Sequence, residues 1–393
     1  MTPCASACAA ALTRLPGMGP ARLLAMIRDR DPRDVWDDVV HGRISKKVFA
    51  QPNLLGDSPA CSDRSWASAA SRFDPEAWWS KARSRGVDVS WIGRDGYPAV
   101  LADDPHPPGV IFWRGSLASL DRPRVAIVGT RSASPDGRAV AYEMGRDLAS
   151  AGVCVVSGLA LGIDGSAHRG ALSALGEAAR DPASVAATIG VAASGVDVPY
   201  PRRHAALWEE VAASGAVISE TPPGYAAQAW RFPARNRIIA GLSQLVVVVE
   251  SHEAGGSLIT AEAAIERGIE VRVVPGPVGS SACAGSNQLL YDGAGPVRGP
   301  RDVLDALGML MPDPPKPGQA KGRRRSRRSP DGTRISLGPT EQAVLASVGW
   351  VPSSLNKVAE RSALPVAQVA GALDGLSARG LVADDRGWWT RLR

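Results

Sequence analysis

Six short apolar runs, each ending in small or polar residues, constrain this chain more than anything else in it. They are VAIVGT (125–130), VCVVSG (153–158), ATIGVAAS (187–194), AVISE (216–220), LVVVVE (245–250) and VRVVPG (271–276). Between them lie segments of helical pattern near 137–151, 164–178, 203–214 and 257–268. Runs of buried-type residues without alternation are strands covered on both faces, and alternation with helices predicts a parallel, doubly wound sheet of Rossmann-like type. In that architecture ligands bind beyond the carboxyl ends of the strands. Gly129, Thr130, Arg131, Ser157, Gly158 and Glu250 fall there.

The flanks read differently. Residues 1–88 have a helical pattern. Within them LPGMGPARLLAMI (Leu15–Ile27) matches the turn of a helix-hairpin-helix unit, whose glycines, Gly17 and Gly19, allow a tight turn with outward amides. An ordinary inter-helix turn in a small bundle of SAM-like type is the plainer reading. Residues 50–75 are rich in Ser, Ala and Pro and read as a loop. The α/β region is expected over 89–311. Residues 312–334, PDPPKPGQAKGRRRSRRSPDGTR, lack apolar anchors and read as a basic disordered linker. Residues 335–393 regain a helical pattern, with helices over Thr340–Val348, 355–361 and 366–379, and end in GLVADDRGWW, a strand, turn and strand. Three helices and a hairpin predict a winged-helix domain. Trp78, Trp79, Trp388 and Trp389 read as anchors of the two flanks.

Charge locates the basic character. The net charge is +6, yet Lys316–Arg334 alone carries eight Lys/Arg against Asp331. The other regions nearly cancel, so anion binding by the folded parts has to come from local arrangement. The final 59 residues are close to neutral, which favours protein docking over duplex binding there. Five scattered cysteines without a C-x-x-C pair fit reduced thiols, hence a cytoplasmic chain, with neither a disulfide framework nor a zinc site. No stretch reaches the roughly 18 apolar residues of a membrane span.

The chemistry concentrates between Phe232 and Gly268, in FPARNRIIAGLSQLVVVVESHEAGGSLITAEAAIERG. Arg235, Asn236 and Arg237 stand before the apolar run, and Gly255-Gly256-Ser257 opens onto a helix. Free amides at a helix start cradle an anion, and arginines beside them suggest a polyanion. Phe232 next to Arg235 and Arg237 pairs an aromatic face with phosphate-holding charge, although a core phenylalanine would read the same way. Arg131, closing the first strand, can fork onto a phosphate. The dinucleotide fingerprint G-x-G-x-x-G is missing and so is the P-loop, which excludes a P-loop ATPase and argues against a nicotinamide enzyme. Asp164 and His168 share a helix face, with Asp164 expected to cap the helix and His168 to bond it. Ser157 and Ser257 have no evident partner base, and G-x-S-x-G is missing from the strand–helix turns. No cofactor and no metal are expected.

In order along the chain these residues resemble the DNA-processing protein A (DprA, or Smf) family. The likeness is carried by Tyr97-Pro98, Val128–Arg131, SGLAxGIDxxAH (Ser157–His168), GVDxxYP from Gly195, FPxRNRIIAGLS (Phe232–Ser243), GSLITA (Gly256–Ala261) and Val274-Pro275-Gly276. Ala192-Ala193, Gly255-Gly256-Ser257 and Gly285-Ser286-Asn287 depart from the family's usual Leu-Gly, Ser-Gly-Ser and Gly-Cys-Asn, all by small or apolar exchanges. The resemblance implies a non-enzymatic protein of natural transformation that binds and protects single-stranded DNA, loads RecA recombinase and works as a homodimer. Its strand-binding pocket would comprise Gly129, Thr130, Arg131, Ser157, Gly158, Phe232, Arg235, Asn236, Arg237, Gly255, Gly256 and Ser257. The rival reading is an enzyme: the Gly255–Thr260 loop with Glu262 resembles that of nucleotide phosphoribohydrolases, where the glutamate acts on a ribose.

Overall fold

The computed structural model describes residues 3–51, 62–177, 185–309, 337–348, 353–385 and 388–392. The chain divides into two units, Met1–Asp313 and Pro314–Arg393. All six expected strands form: β3 (Arg124–Val128), β4 (Cys154–Ser157), β5 (Ile189–Val191), β6 (Ala216–Ser219), β7 (Leu245–Val248) and β8 (Glu270–Val273). They belong to a nine-stranded sheet with β1 (Asp88–Trp91), β2 (Val110–Gly115) and β9 (Gly295–Pro296), in the order β1-β2-β6-β5-β4-β3-β7-β8-β9. The seven strands from β6 to β9 run parallel. β1 and β2 are antiparallel additions at the β6 edge.

Strand β7 shows why a run of consecutive apolar residues was needed. It pairs with β3 on one side (Val125 opposite Leu245, Val128 opposite Val248) and with β8 on the other. Val246 and Val248 enter one core with Ile238, Ile239, Ala261 and Ala264. Leu245 and Val247 enter the opposite core with Met144, Leu148, Ala167 and Ala171. Period-2 side chains therefore serve two apolar layers at once, and every position must be apolar.

Chain order and spatial order part company between β3 and β7. The chain steps outward from β3 through β4 and β5 to β6, then crosses back to β7 on the other side of β3. The helix Arg231–Gly241 lies on this crossover. Neighbouring loops diverge at such a reversal and leave a crevice at the carboxyl end of the sheet.

The first part of the chain is helical, with helices including Ala5–Leu12, Pro20–Ile27, Pro32–Val40 and Pro75–Arg83. These helices share one core with β1 and β2, through Leu12, Val35, Trp66, Val89 and Phe112 among others. The loop expected over 50–75 is in part a helix, Asp63–Ala70. Ser62 and Ser65 form a reciprocal capping box at its start, and fully buried Trp66 anchors it. Of the paired tryptophans, Trp79 and Trp389 are buried, whereas Trp388 is 53% exposed.

In the second unit, helices Pro339–Ser347, Leu355–Ser362 and Val366–Ala378 surround Val344, Val358, Leu373, Leu376 and Trp389. They accompany a small antiparallel sheet of β10 (Ser353–Ser354), β12 (Trp388–Arg391) and β11 (Val382–Asp385). The basic stretch 312–334 lies outside the described residues.

Candidate nucleic-acid interface

A cavity of about 390 Å³ opens where β3 and β7 end. Its walls include Gly129, Thr130 and Arg131 after β3, and Phe232, Arg235 and Asn236 from the crossover helix. Gly255, Gly256 and Ser257 complete them at the start of the helix Gly256–Ile265. Nine of the twelve residues picked out in the sequence thus meet at one place.

The loop after β3 is held by its neighbours. A side chain at Gly129 would put its Cβ 2.5 Å from Ile163 and 2.8 Å from the Glu250 carbonyl, so only glycine fits. The Thr130 amide donates to that carbonyl at 2.7 Å. Thr130 Oγ1 lies 3.3 Å from Ser132 Oγ, which meets His252 Nε2 at 3.2 Å. Arg131 is exposed, and no carboxylate among the described residues comes within ion-pair distance of it. Its guanidinium carbon sits 4.7 Å from the centre of the Phe232 ring. Tyr200, 44% exposed, meets Phe232 at 5.5 Å and 53°. Nothing in the sequence pattern singled out Tyr200 for the site, although its place in the GVDxxYP stretch was a signal.

Two helix starts face this region, and they differ. The helix Pro135–Ser150 is capped by Ser134. The buried Glu250 carboxylate accepts from the Ser134 amide at 2.9 Å and from its hydroxyl at 2.5 Å. A Cβ at Gly137 would lie 2.4 to 2.6 Å from that same carboxylate. The position where a doubly wound fold usually seats a phosphate is therefore filled by the chain's own anion. The helix Gly256–Ile265 has no side-chain cap and no acidic residue in its first turn, so it presents its first amides to the cavity. Asn236 Nδ2 donates to the Gly256 carbonyl at 3.0 Å, and Ser257 Oγ donates to Ser251 Oγ at 2.8 Å. These bonds fix the direction of the uncapped turn.

The three polar residues Arg235, Asn236 and Arg237 do not act together. They lie inside the helix Arg231–Gly241, where successive side chains diverge by about 100°. Arg235 points inward: its Nη1 donates to the Gly158 carbonyl at 2.5 Å and to the Val191 carbonyl. Burial brings its pKa down to about 10, against the opposing pull of Asp164. Its Nε is buried without a partner. Arg237 points to the far flank, where it pairs with Glu220 at 2.5 Å and donates to the His106 carbonyl. The structure removes Arg237 from the cavity.

Two further expectations change. Ser157 is fully buried and its hydroxyl donates to the Ile127 carbonyl at 2.6 Å, so it braces the sheet and does not line the cavity. Gly158 lines an adjoining cleft of about 60 Å³ with Arg131, Tyr200 and Phe232. A Cβ there would meet both Arg235 terminal nitrogens and Asp164 Oδ2 at 2.6 Å. The Asp164–His168 pair does not form. Asp164 accepts from the Gly158 and Ala160 amides at 3.1 and 3.4 Å, and burial raises its pKa while Arg235 lowers it. His168 Nδ1 lies 2.8 Å from Thr188 Oγ1, whose proton goes to the Val155 carbonyl, so Nδ1 is the donor. Glu262 is exposed in the second turn of its helix and lines a separate groove with Arg237.

Residues 88–308 match the model of the family described as DNA recombination-mediator protein A. The chain is 37% identical over 301 residues to Protein Smf of Escherichia coli (strain K12), which is 76% of this chain and 75% of that one. It is 37% identical over 226 residues to DNA processing protein DprA of Bacillus subtilis (strain 168), 57% of this chain and 73% of that one. The X-ray structure of DNA processing protein A from Streptococcus pneumoniae superposes with a TM-score of 0.60 at 30% identity, covering 76% of this chain and 95% of that one. The family model spans more than half of the chain, over the strands and loops that build the cavity, and the chain belongs to the DNA recombination-mediator protein A (DprA/Smf) family.

Proposed function

We propose that this protein binds single-stranded DNA at the cavity between β3 and β7, protects it, and delivers it to RecA recombinase during natural transformation and homologous recombination. The observation that carries the reading is the rim. Arg131 has no carboxylate partner among the described residues, lies over Phe232, and faces the uncapped amides of Gly256 and Ser257. A phosphate between Arg131 and those amides leaves its base next to the Phe232 and Tyr200 rings. Stacking and phosphate contacts accept every base, so sequence preference is low. Membership in a recombination-mediator family and the relatives' names as DNA processing proteins support the same reading.

The protein acts here as a binding protein, in the cytoplasm and as a homodimer, and its C-terminal unit serves as a winged-helix docking module. The hydrolase reading loses ground because Glu262 opens onto another groove. Incubation with nucleoside monophosphates is expected to release no free base. Titration of the full chain with single- and double-stranded oligonucleotides across salt tests the main proposal. Tighter, salt-dependent binding of the single strand is expected, together with RecA filament growth on the bound strand. Equal affinity for the duplex, or no binding, overturns it.

A further inference from the structure

On the opposite side of the crossover helix's start, four aromatic rings and two guanidinium groups alternate. Arg231 lies 5.0 Å from the Trp230 ring centre and 5.5 Å from that of Tyr225. Arg14, from the N-terminal helical part, lies 5.6 Å from Tyr225 on its own side, 4.5 Å from Phe73 and 4.9 Å from Trp78. Neither arginine has a carboxylate within ion-pair distance among the described residues. Arg14 Nε donates to the Tyr225 hydroxyl at 3.2 Å, and Arg231 Nη1 to the Ala226 carbonyl at 3.2 Å. Elsewhere in the same unit Arg30, Arg33, Arg43, Arg85 and Arg114 all pair with acids. A surface that keeps cations among half-buried rings, with no carboxylate among the described residues paired to them, suits a ligand that brings both negative charge and flat faces.

The ladder is continuous with the cavity. Trp230 and Phe232 are two residues apart at a helix start, so their side chains diverge by about 200° around the axis. Phe232 faces the cavity and Trp230 the far flank, where it lines a small cleft with Met18 and Gly19 of the N-terminal turn. No acidic residue stands in the first turn of this helix to repel a backbone crossing it.

We propose that a DNA strand held at Arg131 continues around the start of this helix onto Trp230, Arg231, Tyr225 and Arg14, which stack its next unpaired bases and neutralise its phosphates. This extension rests on the single-strand reading above. The competing role for the same contacts is a staple joining the N-terminal helices to the sheet domain, which would affect folding alone.

Oligothymidylates of about 5 and about 20 nucleotides, spanning the range of single-strand site sizes, separate these cases with the full-length protein. Trp230→Ala should weaken binding of the long oligomer by roughly tenfold, the loss of one stacked base, and leave the short one unchanged. Arg231→Gln keeps the ring and removes the charge. It should lower the salt slope for the long oligomer by about 0.7, a readout that packing does not move. Unchanged long-oligomer affinity and slope in both variants, or an equal loss at both lengths, overturns the proposal. Arg131→Gln distinguishes the two levels: it should weaken both lengths. If it weakens neither, the cavity reading fails as well. If it weakens both while the ladder variants bind as the parent does, only the extension fails.

Discussion

Replacing Arg131 by glutamine removes the cation of the cavity rim while disturbing little else. The side chain is exposed, has no carboxylate partner among the described residues, and touches the Phe232 face at 4.7 Å. An exposed cation–π contact contributes about 0.5–1 kcal/mol, so the urea midpoint should shift only slightly. A hydrogen bond to a charged group contributes about 1.5–3 kcal/mol, and 1.4 kcal/mol is a factor of ten in affinity. Single-strand affinity should therefore fall by about ten- to a hundredfold. One lost phosphate contact also lowers the slope of log affinity against log salt by about 0.7 on a single strand. Arg131→Lys should restore the slope but not the full affinity, because a point charge cannot fork onto two phosphate oxygens. Fluorescence anisotropy with a labelled oligothymidylate at several salt concentrations reads both quantities. An unchanged isotherm and slope refutes the placement of the phosphate. So does an affinity loss that only follows a matching loss of folding stability.

Arg237→Ala should behave in the opposite way: single-strand affinity stays within about twofold, while urea unfolding loses up to about 3 kcal/mol, because Glu220 remains half-buried without its partner. Gly158→Ala should cost about 1–3 kcal/mol by the same measurement and weaken DNA binding, since its Cβ meets Arg235 and Asp164 at 2.6 Å and displaces the guanidinium from its carbonyls. His168 supplies a pH dependence. Burial pulls its pKa down to about 3, whereas the unfolded chain takes up the proton near 6.5, so its contribution is present above 6.5 and is lost as pH falls towards 3. As pH falls from 6 towards 4 it should remove roughly 1 kcal/mol per pH unit, and His168→Gln should abolish that part of the slope in urea titrations.

The sequence made the parallel strands legible because burial on two faces leaves no polar position, and LVVVVE advertises this without help from its neighbours. β1 and β2 escaped notice because nothing local places them. DVSW alternates polar and apolar residues and pairs with β2, while VIFWRG takes its place by pairing with β6, about a hundred residues further along. The loop Gly129–Arg131 was readable, since a glycine and a hydroxyl after an apolar run have few structural uses. The FPARNRIIAG stretch misled because its polar residues are adjacent in sequence, and adjacency in a helix means divergence. Arg235 is drawn to two carbonyls, Arg237 to Glu220, and only Asn236 serves the uncapped turn directly.

Which helix start could receive an anion was hidden more deeply. Gly255-Gly256 reads as a helix opening after a strand, yet the helix that follows the first strand is the usual phosphate seat of such folds. The deciding group is the Glu250 carboxylate, which arrives from 116 residues away and satisfies Ser134. A carboxylate there repels any phosphate that approaches the first helix, and the open amides at Gly256 then become the place for one. On the proposed reading, the same glutamate explains why a Rossmann-like sheet would serve a polynucleotide at its rim. A dinucleotide would need its pyrophosphate where Glu250 already sits, whereas a strand crossing the switch point needs only Arg131, the Phe232 face and one vacant helix end.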